Sequence, residues 1–209
     1  MLACMGLRER KKQETRDALS LAAIRLIVER GWNHVSVEDI AAAANVSVRT
    51  LRNYFSGKGE AVAARHVDRM RRIADGLRER PAGEPLWDAV HAAVLEQFAP
   101  DFDLDRPMPH DARYAEGVRL MLTEPALQGE LAKAYTAAEA ELAAAIAART
   151  STDVTRDLFP VLASAVLGAA IGTALTHNLR ADRSLTIAGT LREALGQLTA
   201  GLPAPVTKE

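Results

Sequence analysis

The sequence is poor in the residues that build disulfides, metal sites and catalytic centres. Its single cysteine, Cys4, excludes an internal disulfide and fits a reducing cytoplasm. The first residues contain no apolar segment, so no signal peptide is predicted and the expected location is cytoplasmic. Motifs of the GxSxG, HExxH and CxxC types are absent, and the five histidines have no metal-binding spacing. We therefore expect no enzyme activity, no cofactor and no bound metal.

Two stretches resemble ligand-binding loops but lack a required residue. "DFDLD" begins like a calcium loop, yet Arg106 and Ala112 stand where that loop needs Gly and Glu. "SGKGE" contains a Gly-Lys pair, yet Arg52 occupies the position of the first Gly of a phosphate-binding loop. Neither stretch predicts a site.

Aromatic residues are also scarce, at 4% of a chain that is 48% hydrophobic. Long segments rich in Ala, Leu, Arg and Glu, broken by short Pro/Gly stretches, predict an all-α protein.

Charge is uneven along the chain. Residues 1–80 carry 16 basic against 10 acidic residues, a net charge of +6, and the remainder is −7. This favours a polyanion partner for the N-terminal part only, although chance clustering of solvated charges stays open.

Local signals predict a three-helix head. A first helix runs from Leu7 to Arg30, where Gly31 stops it and Trp32 follows as an apolar clamp. Ser36 and Asp39 form a capping box for a second helix, whose predicted inward residues are Ile40, Ala43 and Ala44. Asn45 makes a left-handed turn, and Ser47 caps a third helix that reaches about Phe55. A long helix from Gly57 to about Arg80 follows, and the later predicted helices cover 85–99, 110–123, 125–149, 155–179 and 184–200.

The third helix has the surface that major-groove recognition uses. Leu51 and Phe55 are four residues apart and face inward, so Val48, Arg49, Arg52 and Asn53 share the opposite face. Arg pairs with guanine, Asn with adenine, and an apolar side chain contacts the thymine methyl group. An ordinary solvated face is the alternative. The predicted DNA-binding residues are Ser36, Val48, Arg49, Thr50, Arg52, Asn53, Tyr54 and Lys58, with Val48 and Arg49 the better base readers because they come first in the helix.

Residues 8–62 resemble the N-terminal DNA-binding domain of the TetR family of transcriptional regulators. The resemblance rests on "TRDALSLAA", on Gly31 with "SVEDIA", and on "NVSVRTLRNYF" followed by Lys58. The sequence departs from the family pattern at three positions. Asn45 replaces the usual Gly, Arg52 replaces an aromatic residue, and Gly59 replaces an acidic one.

The resemblance implies an all-helical homodimer with a DNA-binding head and a C-terminal domain that binds a small molecule. The predicted domains are residues 1–57, the helix-turn-helix head, and residues 58–201, six helices for ligand binding and dimerisation, with a disordered tail at 202–209. "LTEPALQGELAKAYTAAEAELAAAIA" resembles the mycofactocin-regulator branch, which implies an acyl-thioester or other apolar ligand. The predicted ligand-lining residues are Trp87, His91, Phe98, Arg119 and Tyr135.

The segment from Phe159 to Leu179 contains no charged residue and is long enough to span a bilayer. A membrane span is not expected, because the segment is rich in small residues and no aromatic belt flanks it. Small residues spaced by four predict a close helix contact instead, and the last helix has an apolar face. We predict a dimer interface, with packing inside the subunit as the alternative; its residues are Ser164, Gly168, Gly172, Leu191 and Leu195.

These features predict a repressor that leaves a palindromic operator when a small molecule binds its C-terminal domain. A ligand-independent architectural or activating DNA-binding protein is the alternative. An adaptor that binds only protein is disfavoured, because the basic outward face of the third helix suits an apolar partner poorly.

Overall fold

A computed structural model of the chain describes residues 6–98, 112–180 and 186–204. The described part is helical and contains no strand. Its helices are α1 (Leu7–Arg30), α2 (Val37–Ala43), α3 (Val48–Arg52), α4 (Lys58–Glu79), α5 (Leu86–Phe98), α6 (Ala112–Thr123), α7 (Pro125–Thr150), α8 (Leu158–Arg180) and α9 (Ile187–Thr199), with a 3₁₀ turn at Trp32–His34. The predicted all-α class is confirmed. The predicted loop at 99–109 and the last five residues of the predicted tail lie outside the described residues.

The end of α1 follows the sequence signal closely. Gly31 has φ +85°, a backbone conformation that residues with a Cβ rarely adopt, and its N–H donates to Ile27 O. The chain then forms the 3₁₀ turn and reaches Ser36, where α2 begins. Gly31 thus ends one helix and redirects the chain toward the next.

Two details of the predicted head were wrong. Helix α3 has five residues and ends at Arg52. The Asn53 N–H is shared between Arg49 O and Thr50 O, and the Tyr54 N–H donates to Leu51 O, three residues back, so the helical pattern tightens at this end. In α2 the buried residues are Ile40 and Ala41, whereas Ala43 is exposed. Helix α2 is only seven residues long, so its last residues already belong to the turn.

The chain divides into two compact units. The first contains the described residues within 1–67 and 111–134, in which α1 packs against α2 and α6. Helices α1 and α6 approach each other so closely at Gly117 that a Cβ there would lie 2.3 Å from Val28 O. The domain boundaries predicted from the sequence, at 57 and 201, stay predictions.

The second unit contains the described residues within 68–110 and 135–209. Helix α9 packs on α8 and α5, and fully buried Leu and Ile side chains fill the core. The chain segment after α4 is held by Arg149, whose guanidinium donates to Arg80 O, Pro81 O and Glu84 O over 2.6–3.2 Å. Three carbonyls near a helix end are thereby satisfied by one nearly buried cation.

Among the described helices, α8 is long and apolar enough to cross a membrane. Its segment Leu158–Asn178 has a mean hydropathy of 2.0, and 39% of it is buried within the protein. Length and composition alone are weak support for a membrane span, because the core helix of a soluble protein passes the same test.

Candidate nucleic-acid interface

The start of α2 is fixed by the capping box that the sequence predicted. Ser36 Oγ accepts from the Asp39 N–H at 3.1 Å, and the Asp39 carboxylate accepts from the Ser36 N–H at 2.9 Å and from its hydroxyl at 2.6 Å. These hydrogen bonds lower the pKa of Asp39. The Ser36 hydroxyl and amide are therefore already engaged, and the carboxylate beside them opposes a phosphate. A DNA contact from Ser36 stays a prediction.

The turn between α2 and α3 contains several hydrogen bonds. Asn45 has φ +53°, as its left-handed role requires, and its N–H donates to Ala42 O. The Val46 N–H donates to Ala41 O at 2.9 Å. Ser47 then accepts from the Thr50 N–H at 3.0 Å and shares a second hydrogen bond with the Thr50 hydroxyl. Both ends of the turn are held by hydrogen bonds, which fixes the direction in which α3 leaves it.

The inner face of α3 is anchored in the first unit. Leu51 and Phe55 are 0% and 1% exposed, and the Arg16 guanidinium of α1 lies 5.0 Å from the Phe55 ring centroid. These contacts set the rotation of α3 about its axis, so they decide which side chains point outward.

The outer face of α3 carries the groups suited to DNA. Arg49, Arg52 and Asn53 are exposed, and Val48 and Tyr54 are half-buried. Within the described part of the chain, neither arginine side chain makes a hydrogen bond or ion pair. Two uncommitted guanidinium groups on a fixed helix can pair with bases or phosphates without first breaking an internal contact.

The Lys58 ammonium, predicted to contact DNA, is engaged within the head. Its Nζ donates to Trp32 O at 2.5 Å and to Val35 O at 3.0 Å, and it lies 4.6 Å from the Trp32 ring centroid. The ammonium group thus holds the 3₁₀ turn against the start of α4. Of its three N–H donors two are engaged, so a phosphate contact through the third stays a prediction.

The predicted ligand-lining residues are divided between the two units. Phe98 is fully buried beneath the Arg69 guanidinium, 4.4 Å from the ring centroid. Trp87 and His91 lie half-buried on α5, and the Nε2 atom of His91 is buried without a hydrogen-bond partner among the described residues. Burial raises the pKa of the half-buried Tyr135 on α7. All four belong to the second unit.

Arg119 is the exception, because it belongs to the first unit. It is exposed, and its Nε donates to the Glu116 carboxylate at 2.7 Å. No contact of Arg119 supports its predicted ligand role.

The predicted dimer-interface residues make contacts within their own subunit. Ser164 Oγ donates to Glu139 O of α7 at 2.7 Å, and a Cβ on Gly168 would lie 3.8 Å from the Glu139 carboxylate. Gly172 faces the Tyr135 hydroxyl in the same way. Leu191 and Leu195 are 0% and 1% exposed within the second unit. The small residues thus make a close contact with α7 of the same chain, in which Ser164 and Gly168 are buried and Gly172 is half-buried. A dimer interface through these residues stays a prediction.

A different face of α8 is exposed among the described residues of the second unit. Leu158, Phe159, Val161 and Leu162 are between 42% and 73% exposed. Four large apolar side chains in one turn and a half of helix form a patch of the kind that usually meets a partner. Four large apolar residues within a run of five mark this patch in the sequence, and the predicted interface did not include them.

Comparison with known proteins agrees with these features. Residues 21–64 match the domain described as "Bacterial regulatory proteins, tetR family", and residues 84–203 match the "MftR C-terminal domain". The HTH-type transcriptional regulator TcmR of Streptomyces glaucescens is 33% identical over 183 residues, covering 86% of this chain and 80% of TcmR. MftR of Mycobacterium tuberculosis, named as a mycofactocin biosynthesis transcriptional regulator, is 32% identical over 197 residues, covering 92% and 93%. A crystal structure described as a TetR-family regulator, from Syntrophomonas wolfei, superposes with a TM-score of 0.62 at 18% identity, covering 92% and 98%.

Proposed function

Because the chain belongs to the TetR family of transcriptional regulators, we propose that it is a ligand-responsive repressor acting on a near-palindromic operator. In this proposal α3 of each subunit enters the major groove, and two copies bind half-sites about 34 Å apart. A small molecule bound in the second unit then releases the DNA.

The outer face of α3 carries this proposal. Arg49 and Arg52 are exposed and uncommitted, while the cap at Ser47 and the buried Leu51 and Phe55 hold the helix still. Because the backbone of the helix is already fixed, binding has to order only the side chains, which favours specific recognition over loose charge attraction. Arg49 is in the first turn and reads a base, and Val48 contacts a thymine methyl group beside it.

Arg52 and Asn53 lie at the end of α3, and Thr50 and Tyr54 flank them. In the proposal these four, with Ser36 and Lys58, contact the sugar-phosphate backbone and set the register of the head on DNA. Arg52 can also reach a base, because a long side chain replaces the aromatic residue that is usual in the family.

The homodimer forms through the exposed apolar patch of α8 rather than through its small residues. Burial of Leu158, Phe159, Val161 and Leu162 against a second copy removes apolar surface from water. Pairing of the same patch in both subunits gives the twofold symmetry that a palindromic operator requires.

The inducing ligand is an apolar small molecule bound near α5 and α7 in the second unit. The half-buried side chains of Trp87, His91 and Tyr135 each combine an apolar ring with a polar atom. His91 Nε2 has no hydrogen-bond partner among the described residues, so a ligand can supply one. A ligand that favours a subunit arrangement with the wrong spacing between the two α3 helices shifts the population away from the DNA-bound state.

A mobility shift with DNA flanking the protein's own gene tests the proposal. We expect wild type to shift one flanking fragment, and Arg49→Ala to lose about 1–3 kcal/mol there with relaxed base preference. Arg192→Ala is the matched control, because Arg192 is exposed on α9 in the other unit. An equal loss on all DNA sequences would limit Arg49 to phosphate contact.

The same assay, repeated with a panel of metabolites, distinguishes a ligand-responsive repressor from a DNA-binding protein that does not respond to a ligand. Release of the fragment by one apolar compound supports ligand response. Binding that no compound changes favours the ligand-independent architectural or activating protein. Absence of a shift on every flanking fragment contradicts the autoregulating repressor.

A further inference from the structure

The first unit contains a groove that plays no part in the proposed DNA contacts. It has a volume of 850 Å³ and lies between the C-terminal end of α1 with the following 3₁₀ turn and the C-terminal half of α6. Its volume falls within the range of small-molecule sites. All residues that line it belong to the first unit.

The floor of the groove is apolar. Ile27, Val28 and Met121 are buried beneath it, and Trp32 and Leu120 lie at its sides, with Leu120 53% exposed. A large exposed leucine beside an indole ring offers contact area to an aromatic or aliphatic group. The groove is therefore suited to a ligand with an apolar body.

The rim of the groove is acidic. Glu29, Glu116 and Glu124 line it, against a single lining cation, Arg30. Arg30 acts electrostatically on Asp39, whose pKa it helps to lower, and Arg119 holds Glu116 in an ion pair. In the described part of the chain, Glu29 and Glu124 form no ion pair. Glu124 Oε1 accepts only a long hydrogen bond from the Ala126 N–H, at 3.5 Å, so two carboxylates remain available at the rim.

The backbone dipole of α1 adds to this negative charge. Helix α1 ends at Arg30 beside the groove, and its C-terminus carries partial negative charge from carbonyls without helical partners, roughly half an elementary charge. On the other side α6 ends at Thr123 and α7 begins at Pro125, so the negative end of α6 stands next to the positive end of α7 and contributes little. The carboxylates and the α1 C-terminus therefore place negative charge around an apolar floor.

We propose that this groove binds an amphipathic organic cation, a ligand with a positive centre and aromatic or aliphatic substituents. The positive centre lies between Glu29 and Glu124, and the apolar body rests on Ile27, Trp32 and Leu120. This site is separate from the one proposed for the inducer, which lies in the second unit.

Occupation of the groove acts on the DNA-binding head through Trp32. This consequence rests on the proposed function. Trp32 lines the groove, and its carbonyl and ring both hold the Lys58 ammonium, which also binds Val35 O immediately before the capping residue Ser36. A ligand that moves the Trp32 segment therefore changes the start of α2 and α4 and, through α2, the placement of α3. We expect weaker operator binding when the groove is filled.

Calorimetric titration of the full-length protein with tetraphenylphosphonium tests the site. Tetraphenylborate has nearly the same shape and apolar surface with the opposite charge, so it isolates the contribution of the acidic rim. We expect saturable binding of the cation and binding of the anion weaker by about tenfold or more, as like charges repel. Comparable binding of both ions, or no saturable binding of the cation, would overturn the proposal.

Two leucine variants locate the site. Leu120→Trp fills the groove and is expected to weaken cation binding about tenfold or more, because the indole occupies the ligand's volume. Leu21→Trp is the matched control, since Leu21 is 48% exposed on α1 but does not line the groove. The control should bind like wild type. Equal behaviour of the two variants would contradict the assignment.

A further variant and a direct measurement guard against misfolding of Leu120→Trp. Replacing both Glu29 and Glu124 by Gln should weaken cation binding by about two- to tenfold, in line with exposed charge pairs. In wild type, hydrogen exchange should slow on cation binding at residues 27–33 and 116–124 only. Protection confined to other segments places the cation elsewhere and refutes the groove.

The DNA assay then separates the two proposals. If wild type binds its operator and tetraphenylphosphonium weakens that binding, while Leu120→Trp resists it, the coupling through Trp32 is supported. If operator binding is unchanged at saturating cation, the coupling is wrong. If no operator is bound at all, the proposed function fails, and calorimetry and hydrogen exchange still decide the groove.

Discussion

Substitution of Gly117 by alanine probes the closest approach between α1 and α6. A Cβ at this position would lie 2.3 Å from Val28 O, 2.9 Å from Val28 Cγ1 and 3.0 Å from Val28 C. Two of these atoms are backbone, so no side-chain rotation relieves the overlap. Restoring ordinary contact requires the two helices to separate by on the order of 1 Å.

Two opposing effects determine how much Gly117→Ala changes the free energy of unfolding. Overpacking of this kind costs about 1–3 kcal/mol, whereas replacing Gly by Ala within a helix gains about 1 kcal/mol. Gly129→Ala isolates the second effect, because Gly129 is exposed within α7 and a Cβ there meets nothing within 4 Å. We expect Gly129→Ala to stabilise the first unit and Gly117→Ala to be roughly 1–3 kcal/mol less stable than that control.

Hydrogen exchange of the α1 and α6 amides is the suitable assay, since a chain of two units need not unfold in one step. Faster exchange in α1 and α6 is expected for Gly117→Ala, and unchanged or slower exchange for Gly129→Ala. If both variants were stabilised by the same amount, the close approach of α1 and α6 at Gly117 would be refuted.

Three further predictions follow from the head and from α8. Lys58→Ala should lower the salt dependence of DNA binding by about one unit if Lys58 contacts a phosphate. The same substitution should destabilise the head by roughly 1–2 kcal/mol, because Trp32 O and Val35 O lose their donor. Salt titration of DNA binding measures the first effect, and urea unfolding measures the second. Leu162→Glu should yield a monomer in light scattering, since burying an unpaired carboxylate costs about 3 kcal/mol or more, whereas Leu21→Glu should remain dimeric. Asp39 has a lowered folded-state pKa, so its cap stabilises α2 above the unfolded pKa and is lost as pH falls through the folded one; Asp39→Asn should therefore differ from wild type at pH 7 and converge with it in acid, and a constant difference would exclude this role.

Local sequence signals predicted the helices of this protein, because the residues that start and end each helix lie within a few positions of each other. Gly31 ends α1 through its positive φ, and Ser36 and Asp39 open α2 through hydrogen bonds that span three residues. Asn45 makes the turn. The anchoring of α3 by Leu51 and Phe55 also follows from spacing alone, and with it the outward direction of Arg49. The all-α class and the TetR family followed from these signals.

Other features depend on residues far apart in the sequence. Lys58 meets carbonyls 26 and 23 residues earlier, so no local pattern shows that its ammonium is engaged. Arg149 reaches the segment after α4 across 65 to 69 residues. Such contacts form only when helices pack, and many pairings are equally compatible with the sequence.

The small-residue stripe of α8 shows most clearly where prediction from the sequence ends and packing begins to decide. Spacing by four at Ser164, Gly168 and Gly172 determined that some helix would approach closely. Which helix it is depended on packing, and α7 of the same chain supplies it through Tyr135 and Glu139. The sequence by itself determined the helices, their ends and the outward face of α3, because those arise from contacts within one or two turns. Only the tertiary structure decided which faces remain free, because burial is a property of the packed chain.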